Sequence, residues 1–277
     1  MKLTVLLDNN TLIDRYFIGE PGVSYFIEDK GKRILFDTGY SDAFLRNAQR
    51  MRIDLLDLDH IVLSHGHLDH TWGLEAMVKL FTEAKIEGFS HCEPVLVAHP
   101  LAFNSKIQAD IGEIGCLLSA EKLSRTFKIQ LSSEPLWLTD DIVFLGEIPR
   151  RFHFEINETE SKMIIDGKEE DILADDTALA LKTEKGLVIV TGCSHSGICN
   201  IIEYAKNVCD EDRIADVIGG FHLLCPQETK ISATVDYFCK LNAEEVHACH
   251  CTDLRSKIAL SHVCKLKEVG SGLQLEY

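Results

Sequence analysis

The chain has 277 residues, of which 45% are hydrophobic and 26% are charged, and its formal net charge is −16 at pH 7. This is the composition of a globular protein long enough for a large core, built as one domain or as two tightly packed halves. The acidic charge argues against a general nucleic-acid binder, which normally carries a basic face.

The cysteines and the apolar runs bear on the cellular compartment. Ten cysteines are scattered along the chain, and the apolar stretch Leu3–Leu7 is far shorter than a secretory signal. No apolar run approaches the length of a membrane span. We therefore expect a cytoplasmic protein with reduced thiols and no membrane partner.

Short apolar runs separated by turn residues predict the elements of the first half. Strands are expected over Leu3–Leu7, Val23–Glu28, Arg33–Phe36, Ile61–Leu63 and Val95–Ala98. A helix capped by Ser41 is expected up to Met51, with Ala43, Phe44 and Ala48 towards the core. A second helix is expected to begin at Leu74.

Four ligand-type residues lie between the fourth strand and the second helix, in the segment Leu63-Ser64-His65-Gly66-His67-Leu68-Asp69-His70. In an extended chain His65 and His67 face the same way and can bind one ion. Asp69 and His70 lie past the bend and can face a second ion. A surface histidine cluster is the alternative, but packing does not readily explain four such residues within six positions. Imidazole and carboxylate groups suit zinc, manganese or iron, so the segment predicts a metal site.

The second half repeats this pattern of strand ends that carry ligand-type residues. A hairpin is expected over Thr177–Lys182 and Leu187–Thr191, and further strands over Ala215–Gly219 and Glu245–Ala248. Histidines follow three of these strands, namely His195, His222 and His250. For each of them a buried structural histidine is the alternative. The predicted helices are Ile198–Val208, Ser232–Leu241 and Leu254–Lys267.

The pattern H-x-H-x-D-H after an apolar strand resembles the signature of the metallo-β-lactamase superfamily. The resemblance implies an α/β fold, a four-layer αβ/βα sandwich, with one or two metals at the shared edge of two sheets. It implies a single domain over residues 1–277 made of two related halves. The weakly patterned segment around 102–135 would be a family-specific insertion that forms a lid or faces the substrate. Asp37 in Phe36-Asp37-Thr38-Gly39 would support the metal loop without binding metal itself. The alternative is that Asp37 is a turn residue or an anion at the start of a helix.

We expect two divalent metal ions, first of all zinc, with manganese or iron as alternatives. The assigned ligands are His65, His67 and His195 for one ion and Asp69, His70 and His250 for the other. The superfamily's bridging aspartate is replaced here by Cys193. Cys193 could bind as a thiolate, water could take the bridging place, or Asp176 could supply the oxygen, and a mononuclear site stays open. Cys249 and Cys251 are expected to point into the core.

A wider set of motifs resembles one subgroup over nearly the whole chain. These motifs are Asp8-Asn9, Gly19-Glu20-x-Gly, Gly192-Cys193-Ser194-His195-x-Gly, Gly219-Gly220-Phe221-His222-Leu223 and His250-Cys251-Thr252. The subgroup is that of the dihydropterin ribofuranosylaminobenzene phosphate synthase-like proteins. The resemblance implies a small anionic substrate, such as a phosphoester or a pterin.

The leading hypothesis is a metal-dependent hydrolase, or a transferase that processes phosphoesters or pterins, in which a metal-bound hydroxide attacks at a mono- or dinuclear site. Asp69 and His222 are the expected catalytic residues, with His222 as a proton donor or anion-binding group. His222, His99 and Glu20 are expected to contact substrate. The alternative is a non-hydrolytic di-iron redox or metal-binding protein of the same fold. The acidic charge disfavours an RNA-processing nuclease.

Overall fold

A computed structural model of the chain describes residues 1–155, 161–165, 167–170 and 173–277. The chain divides into two units. Unit 1 comprises Met1–Ser132, Thr159–Asp175 and Gly270–Tyr277, and unit 2 comprises Ser133–Glu158 and Asp176–Val269. The expectation of one domain with an insertion around 102–135 stays a prediction.

The strands of the described residues are numbered in chain order. They are β1 (Lys2–Leu7), β2 (Ser24–Asp29), β3 (Lys32–Phe36), β4 (His60–Val62), β5 (Val95–Ala98), β6 (Lys106–Gln108), β7 (Gly112–Glu113), β8 (Lys128–Leu131), β9 (Leu136–Trp137), β10 (Ile142–Phe144), β11 (Ser161–Ile165), β12 (Lys168–Glu170), β13 (Ala178–Thr183), β14 (Gly186–Thr191), β15 (Ile214–Gly220), β16 (Glu245–Cys249) and β17 (Gln274–Glu276).

The helices are numbered in the same way. The α-helices are α1 (Ala43–Arg50), α2 (Leu68–Thr71), α3 (Leu74–Glu87), α4 (Ala120–Leu123), α5 (Ile198–Cys209), α6 (Glu228–Leu241) and α7 (Leu254–Ser261). Short 3₁₀ turns lie at Leu55–Asp57 and His153–Glu155. None of the helices in the described ranges is long and apolar enough to cross a membrane.

The larger sheet of unit 1 has seven strands in the order β17-β1-β2-β3-β4-β5-β8. Strands β1, β2 and β3 pair antiparallel, whereas β3, β4, β5 and β8 run parallel. Neighbouring parallel strands end at the same edge of a sheet. The residues that follow β3 and β4 therefore lie side by side, and these are Asp37 and the histidine-rich loop.

Helices α1 and α3 bury their apolar faces in the core of unit 1. Phe44 and Ala48 of α1 and Leu74 and Met77 of α3 are fully buried in one cluster with the sheet. Burial of a Phe, Leu or Met side chain contributes about 1.5–3 kcal/mol. Ala43, Phe44 and Ala48 are all buried, as the helical spacing predicts. This packing fixes both ends of the histidine-rich loop, because β4 precedes the loop and α3 follows it.

The weakly patterned segment contributes to two sheets of unit 1. Strands β6 and β7 belong to a four-stranded sheet in the order β12-β11-β6-β7. Strand β8 extends the larger sheet beside β5. The sequence pattern did not predict β6, β7 or β8, because these strands are short and several of their side chains are exposed.

Unit 2 is built on a six-stranded sheet in the order β16-β15-β14-β13-β10-β9. The predicted hairpin is present as β13 and β14, and β14, β15 and β16 run parallel. Helices α5, α6 and α7 pack on the apolar core of this unit, which includes Ile189, Val217 and Phe238. The loops after the three parallel strands therefore reach one edge of the sheet, and they carry His195, His222 and His250.

The last helix is shorter than predicted. It ends at Ser261, whereas the sequence pattern extended it to Lys267. The residues beyond it pair instead with the edge of β16: Val246 N–H donates to the carbonyl of Lys265 at 3.1 Å, and Lys267 N–H donates to the carbonyl of Val246 at 2.8 Å. A strand edge supplies hydrogen-bond partners that local sequence does not reveal.

Asn47 on α1 ties three backbone groups of unit 1 together. Its Nδ2 donates to the carbonyls of Leu6 and Ile18, both at 2.8 Å, and its Oδ1 accepts from Ile18 N–H at 2.9 Å. We expect Asn47→Ala to lower the free energy of unfolding by about 2–4 kcal/mol, because these buried groups lose their partners. Urea denaturation measures the change. Gln49→Ala on the exposed face of α1 is the matched control and should change it by less than about 0.5 kcal/mol.

Candidate metal centre

A buried carboxylate organises the histidine-rich loop of unit 1. Asp37 follows β3 in a left-handed conformation with φ of 58°. Its Oδ1 accepts from Ser64 N–H at 2.7 Å, and its Oδ2 accepts from Ser64 Oγ–H at 2.6 Å. His70 Nδ1 lies 2.7 Å from the same Oδ2. Because Nδ1 is engaged by Asp37, the Nε2 atom of His70 is the one available to a metal ion.

The other two histidines of the loop lie against His70. The ring centroids of His65 and His67 are 4.7 Å apart, and those of His65 and His70 are 4.2 Å apart. His65 Nε2 and His67 Nδ1 are 3.0 Å apart. Burial lowers the pKa of His67 to about 4, and the nearby Asp69 offsets this only in part. The imidazole is therefore neutral at pH 7, which is the form that binds metal.

Asp69 completes the donor set of unit 1. It lies in the first turn of the short helix α2. Its side chain is 23% exposed, and its Oδ1 lies 3.7 Å from His70 Nε2. Three imidazoles and one carboxylate fit a divalent ion such as zinc in kind and in number. The loop that the sequence singles out therefore carries a donor set that is chemically suitable for a metal ion.

Two glycines allow the chain to pass close to this loop. A Cβ atom at Gly22, where φ is +133°, would lie 2.4 Å from the carbonyl oxygen of Asp69. A Cβ atom at Gly73 would lie 2.0 Å from the carbonyl oxygen of Thr38. The Thr38 N–H and hydroxyl in turn both donate to the carbonyl of His70 at 3.0 Å. Only glycine fits at these two positions without moving the backbone around the ligands.

In unit 2 a thiol takes the place of the aspartate expected from the superfamily. Cys193 is 5% exposed, and its Sγ lies 3.0 Å from His250 Nε2. Cys251 Sγ accepts from His222 N–H at 3.3 Å and donates to the carbonyl of Cys193 at 3.4 Å. Burial would raise the pKa of the Cys251 thiol, but hydrogen bonding with Cys193 and the adjacent His250 and His222 hold that pKa well below its usual value.

His195 and His222 form a second pair in this unit. Their ring centroids are 4.4 Å apart. Ser194, His222 and His250 have φ of 57°, 52° and 50°, so each of the three loops turns sharply through a left-handed residue. Ser194 Oγ donates to the carbonyl of Gly220 at 2.6 Å, which joins the first of these loops to the second.

Asp176 supports the first of these loops through its side chain. Its Oδ2 accepts from Ser196 N–H at 2.8 Å and from Ser196 Oγ–H at 2.5 Å. Burial raises the pKa of Asp176 to about 6, although the hydrogen bonds from Ser196 lower it. Its Oδ1 is buried with no hydrogen-bond partner among the described residues. The role of Asp176 as a metal ligand stays a prediction.

The two residues expected to contact substrate in unit 1 have structural partners. Both carboxylate oxygens of Glu20 accept from Ser41, from its N–H at 2.9 Å and from its hydroxyl at 2.7 Å. His99 is 3% exposed, and its Nδ1 accepts from Leu101 N–H at 3.2 Å. These contacts hold the start of α1 and the turn after β5. Substrate contact by either residue stays a prediction.

Sequence reasoning missed two residues beside these loops, Cys251 and Lys106. Cys251 was expected to point into the core, but its Sγ lies among the ligand-type residues of unit 2. Lys106 and Asp175 form a buried ion pair in unit 1. Strand alternation around His250 does not predict the direction of the Cys251 side chain, because the left-handed turn at His250 breaks the strand periodicity. For Lys106 no local signal exists, because its partner lies far away in the sequence.

Parallel strands that end in turns with ligand-type residues, on an α/β sandwich, are the features of a metallo-β-lactamase fold. The model of the metallo-β-lactamase superfamily matches residues 18–207, and the chain belongs to this superfamily. The fold class predicted from the sequence is thereby confirmed.

Three relatives resemble the chain over nearly all of its length. An uncharacterized protein of Methanocaldococcus jannaschii is 34% identical, over 94% of each chain. The 7,8-dihydropterin-6-methyl-4-(β-D-ribofuranosyl)-aminobenzene-5'-phosphate synthase of the same organism is 30% identical, over 93% of this chain and 89% of its own. A solved structure named as a metal-dependent hydrolase of the β-lactamase superfamily has a TM-score of 0.85 and 28% identity, over 100% of this chain and 99% of its own.

The role of Asp37 leads to a test in which stability and metal binding are measured separately. We expect Asp37→Ala to lower the free energy of unfolding of the metal-free protein by about 3 kcal/mol, since Ser64 and His70 lose a charged acceptor. Zinc affinity should also fall by roughly 10- to 100-fold, because His70 loses its orientation. Urea denaturation and zinc titration measure the two effects. Asp42→Ala on the neighbouring exposed turn is the control, and a zinc affinity unchanged by Asp37→Ala would contradict the interpretation.

Proposed function

We propose that this protein is a metal-dependent hydrolase of a small anionic substrate, with a phosphoester or a pterin as the substrate class. The observation that carries the proposal is the loop between β4 and α3, in which three imidazoles and the carboxylate of Asp69 converge beside Asp37. Such a donor set binds a divalent ion through neutral nitrogen and carboxylate oxygen.

The proposal keeps the ligand assignment made from the sequence. Two divalent ions, zinc in the first place, are assigned to His65, His67 and His195 and to Asp69, His70 and His250. Within unit 2 the 3.0 Å approach of Cys193 Sγ to His250 Nε2 supports Cys193 as a further ligand, because groups that bind one ion lie close together. A thiolate also favours zinc over magnesium or calcium.

The relatives support both the reaction and the substrate class. The solved structure at 28% identity is named as a metal-dependent hydrolase. The relative at 30% identity is named as a synthase that makes a phosphorylated dihydropterin compound. The second name supports a phosphoester or a pterin as the substrate class, and the first supports a metal-dependent hydrolysis. A group-transfer reaction on such a substrate is the related form of the proposal, in which an acceptor other than water takes the group.

The residues of each unit have distinct tasks in this proposal. A bound divalent ion would activate water and polarise an oxygen of the substrate. Asp37 holds His70 by its Nδ1, and burial keeps His67 neutral. The buried Nδ1 of His222 has no hydrogen-bond partner among the described residues, which leaves it able to exchange a proton with a leaving group or to bind an anion.

Removal of metal tests the proposal most directly. We expect a chelator to abolish hydrolysis of a panel of phosphodiesters, lactones and pterin phosphates, and zinc or manganese to restore it. The reason is that the ions supply the activated water, which no side chain replaces. Full activity in the metal-free protein would refute the proposal. Bound iron with visible absorption and no hydrolysis would instead support the redox alternative.

Replacement of His222 tests its assignment to the reaction. We expect His222→Ala to lower turnover by about 10-fold or more with metal content unchanged, because a positioned proton donor contributes ~100- to 10,000-fold in rate. Turnover and bound metal are measured on the same samples. His262→Ala, at an exposed histidine of the same unit, is the matched control. Loss of a metal ion from His222→Ala would make His222 a ligand and would overturn the ligand assignment.

A further inference from the structure

A buried ion pair lies behind the turn that joins His65 to His67 in unit 1. Lys106 and Asp175 are both fully buried, and Lys106 Nζ lies 3.0 Å from Asp175 Oδ2. Nζ also donates to the carbonyls of Leu101 at 3.3 Å and Ala102 at 3.5 Å. An ammonium group has three donors, and each of them has a partner here.

The same carboxylate oxygen holds the turn between the two histidines. Asp175 Oδ2 accepts from Gly66 N–H at 2.8 Å. A Cβ atom at Gly66 would lie 1.9 Å from the carbonyl oxygen of Ala102 and 2.5 Å from Lys106 Nζ, so the turn rests directly on the lysine head group. The peptide between His65 and His67 is therefore fixed by a hydrogen bond and by close packing at one place.

Two further contacts join the segment after Lys106 to the same loop. Leu68 N–H donates to the carbonyl of Ile114 at 2.8 Å, and Trp72 Nε1–H donates to the carbonyl of Gly115 at 2.9 Å. Both acceptors are backbone groups, which are present whatever the side chain. Lys106 and Asp175 differ from them because their contacts depend on side-chain identity.

Stability alone gives no reason for a buried ion pair at this place. The cost of taking two charges out of water offsets much of their attraction, so an apolar pair of similar volume is often as stable or more stable. What an apolar pair cannot supply is an acceptor for Gly66 N–H.

We propose that Asp175, held by Lys106, is a positioning residue whose hydrogen bond to Gly66 N–H sets the orientation of His65 and His67 for metal binding. The inference rests on the proposed function, because it takes these two histidines as metal ligands. Lys106 fixes the carboxylate, and the carboxylate fixes the turn.

A pair of double variants separates the hydrogen bond from the ion pair. The first, called the Asn variant, is Lys106→Met with Asp175→Asn; it lacks both charges but keeps an amide oxygen that can accept from Gly66 N–H. The second, called the Leu variant, is Lys106→Met with Asp175→Leu; it also lacks both charges, has a side chain of similar size and has no acceptor. The two have side chains of similar size at position 175, and only the first of them offers an acceptor to Gly66 N–H. Lys128→Met, which removes an exposed lysine of the same unit, is the control.

The first measurement is zinc affinity by competitive titration in the full chain. We expect the Leu variant to bind zinc roughly 10- to 100-fold more weakly than the wild type, which is the usual effect of losing a group that orients a ligand. The Asn variant should lie within about 3-fold of the wild type. Stability alone would give the opposite order, because an apolar pair fills this buried site without an unpaired amide group.

The second measurement needs no metal. Hydrogen exchange in the metal-free protein is followed for a peptide that covers residues 63–70. We expect its exchange to be about 10-fold faster in the Leu variant and unchanged in the Asn variant, because the turn opens locally when Gly66 loses its acceptor.

The outcomes distinguish this inference from the function on which it rests. A wild type that binds no divalent metal refutes the proposed function, while the exchange difference still tests the contact itself. Equal zinc affinity and equal exchange in the two variants would overturn the role of Asp175. Failure of the Leu variant and of Lys106→Met with Asp175→Ala to fold would also overturn it, because the pair would then be required for the fold itself.

Discussion

The carboxylate of Asp37 is the constraint on which the conformation of the histidine-rich loop depends. Burial of a carboxylate costs several kcal/mol unless hydrogen bonds satisfy its oxygens. In the hydrogen bonds described for the Asp37 side chain, the partners are Ser64 and His70. These partners are 27 and 33 residues away in the sequence. The parallel pairing of β3 with β4 brings them within reach, so the conformation of the histidine-rich loop depends on this pairing.

In unit 2 the loops after the parallel strands are held by other contacts, without a carboxylate at the strand end. The loop after β14 is joined to the loop after β15 by the bond from Ser194 Oγ to the carbonyl of Gly220, and Gly220 N–H donates back to the carbonyl of Gly192 at 2.9 Å. Left-handed residues turn each loop away from its strand. The cost of such conformations, of order 1–3 kcal/mol each, is tolerated where surrounding contacts determine the backbone.

Two adjacent aspartates brace the ligand-bearing turns, one in each unit. Asp175 is the last residue of its segment in unit 1 and accepts from Gly66, whereas Asp176 begins unit 2 and accepts from Ser196. Each is buried, and each has one oxygen engaged by a backbone N–H in the turn that it supports. Each aspartate thus supports a turn of its own unit that carries ligand-type residues, and in unit 1 Lys106 holds the carboxylate of Asp175.

The sequence by itself determined the fold class and the choice of ligand-type residues. The H-x-H-x-D-H segment after an apolar strand, and the strand-end histidines at 195, 222 and 250, carry that information because ligand chemistry and strand periodicity are local properties. Strands β1 to β5 and the hairpin of β13 and β14 followed from the same periodicity.

Only the tertiary structure decided how these residues are held. Lys106 and Asp175 meet through folding over long separations, and Cys251 faces the ligand-type residues because His250 adopts a left-handed turn. The end of α7 was likewise set by pairing with the edge of β16. In each case a partner distant in the sequence satisfies a buried charge or a backbone group. A local sequence pattern cannot predict such a partner.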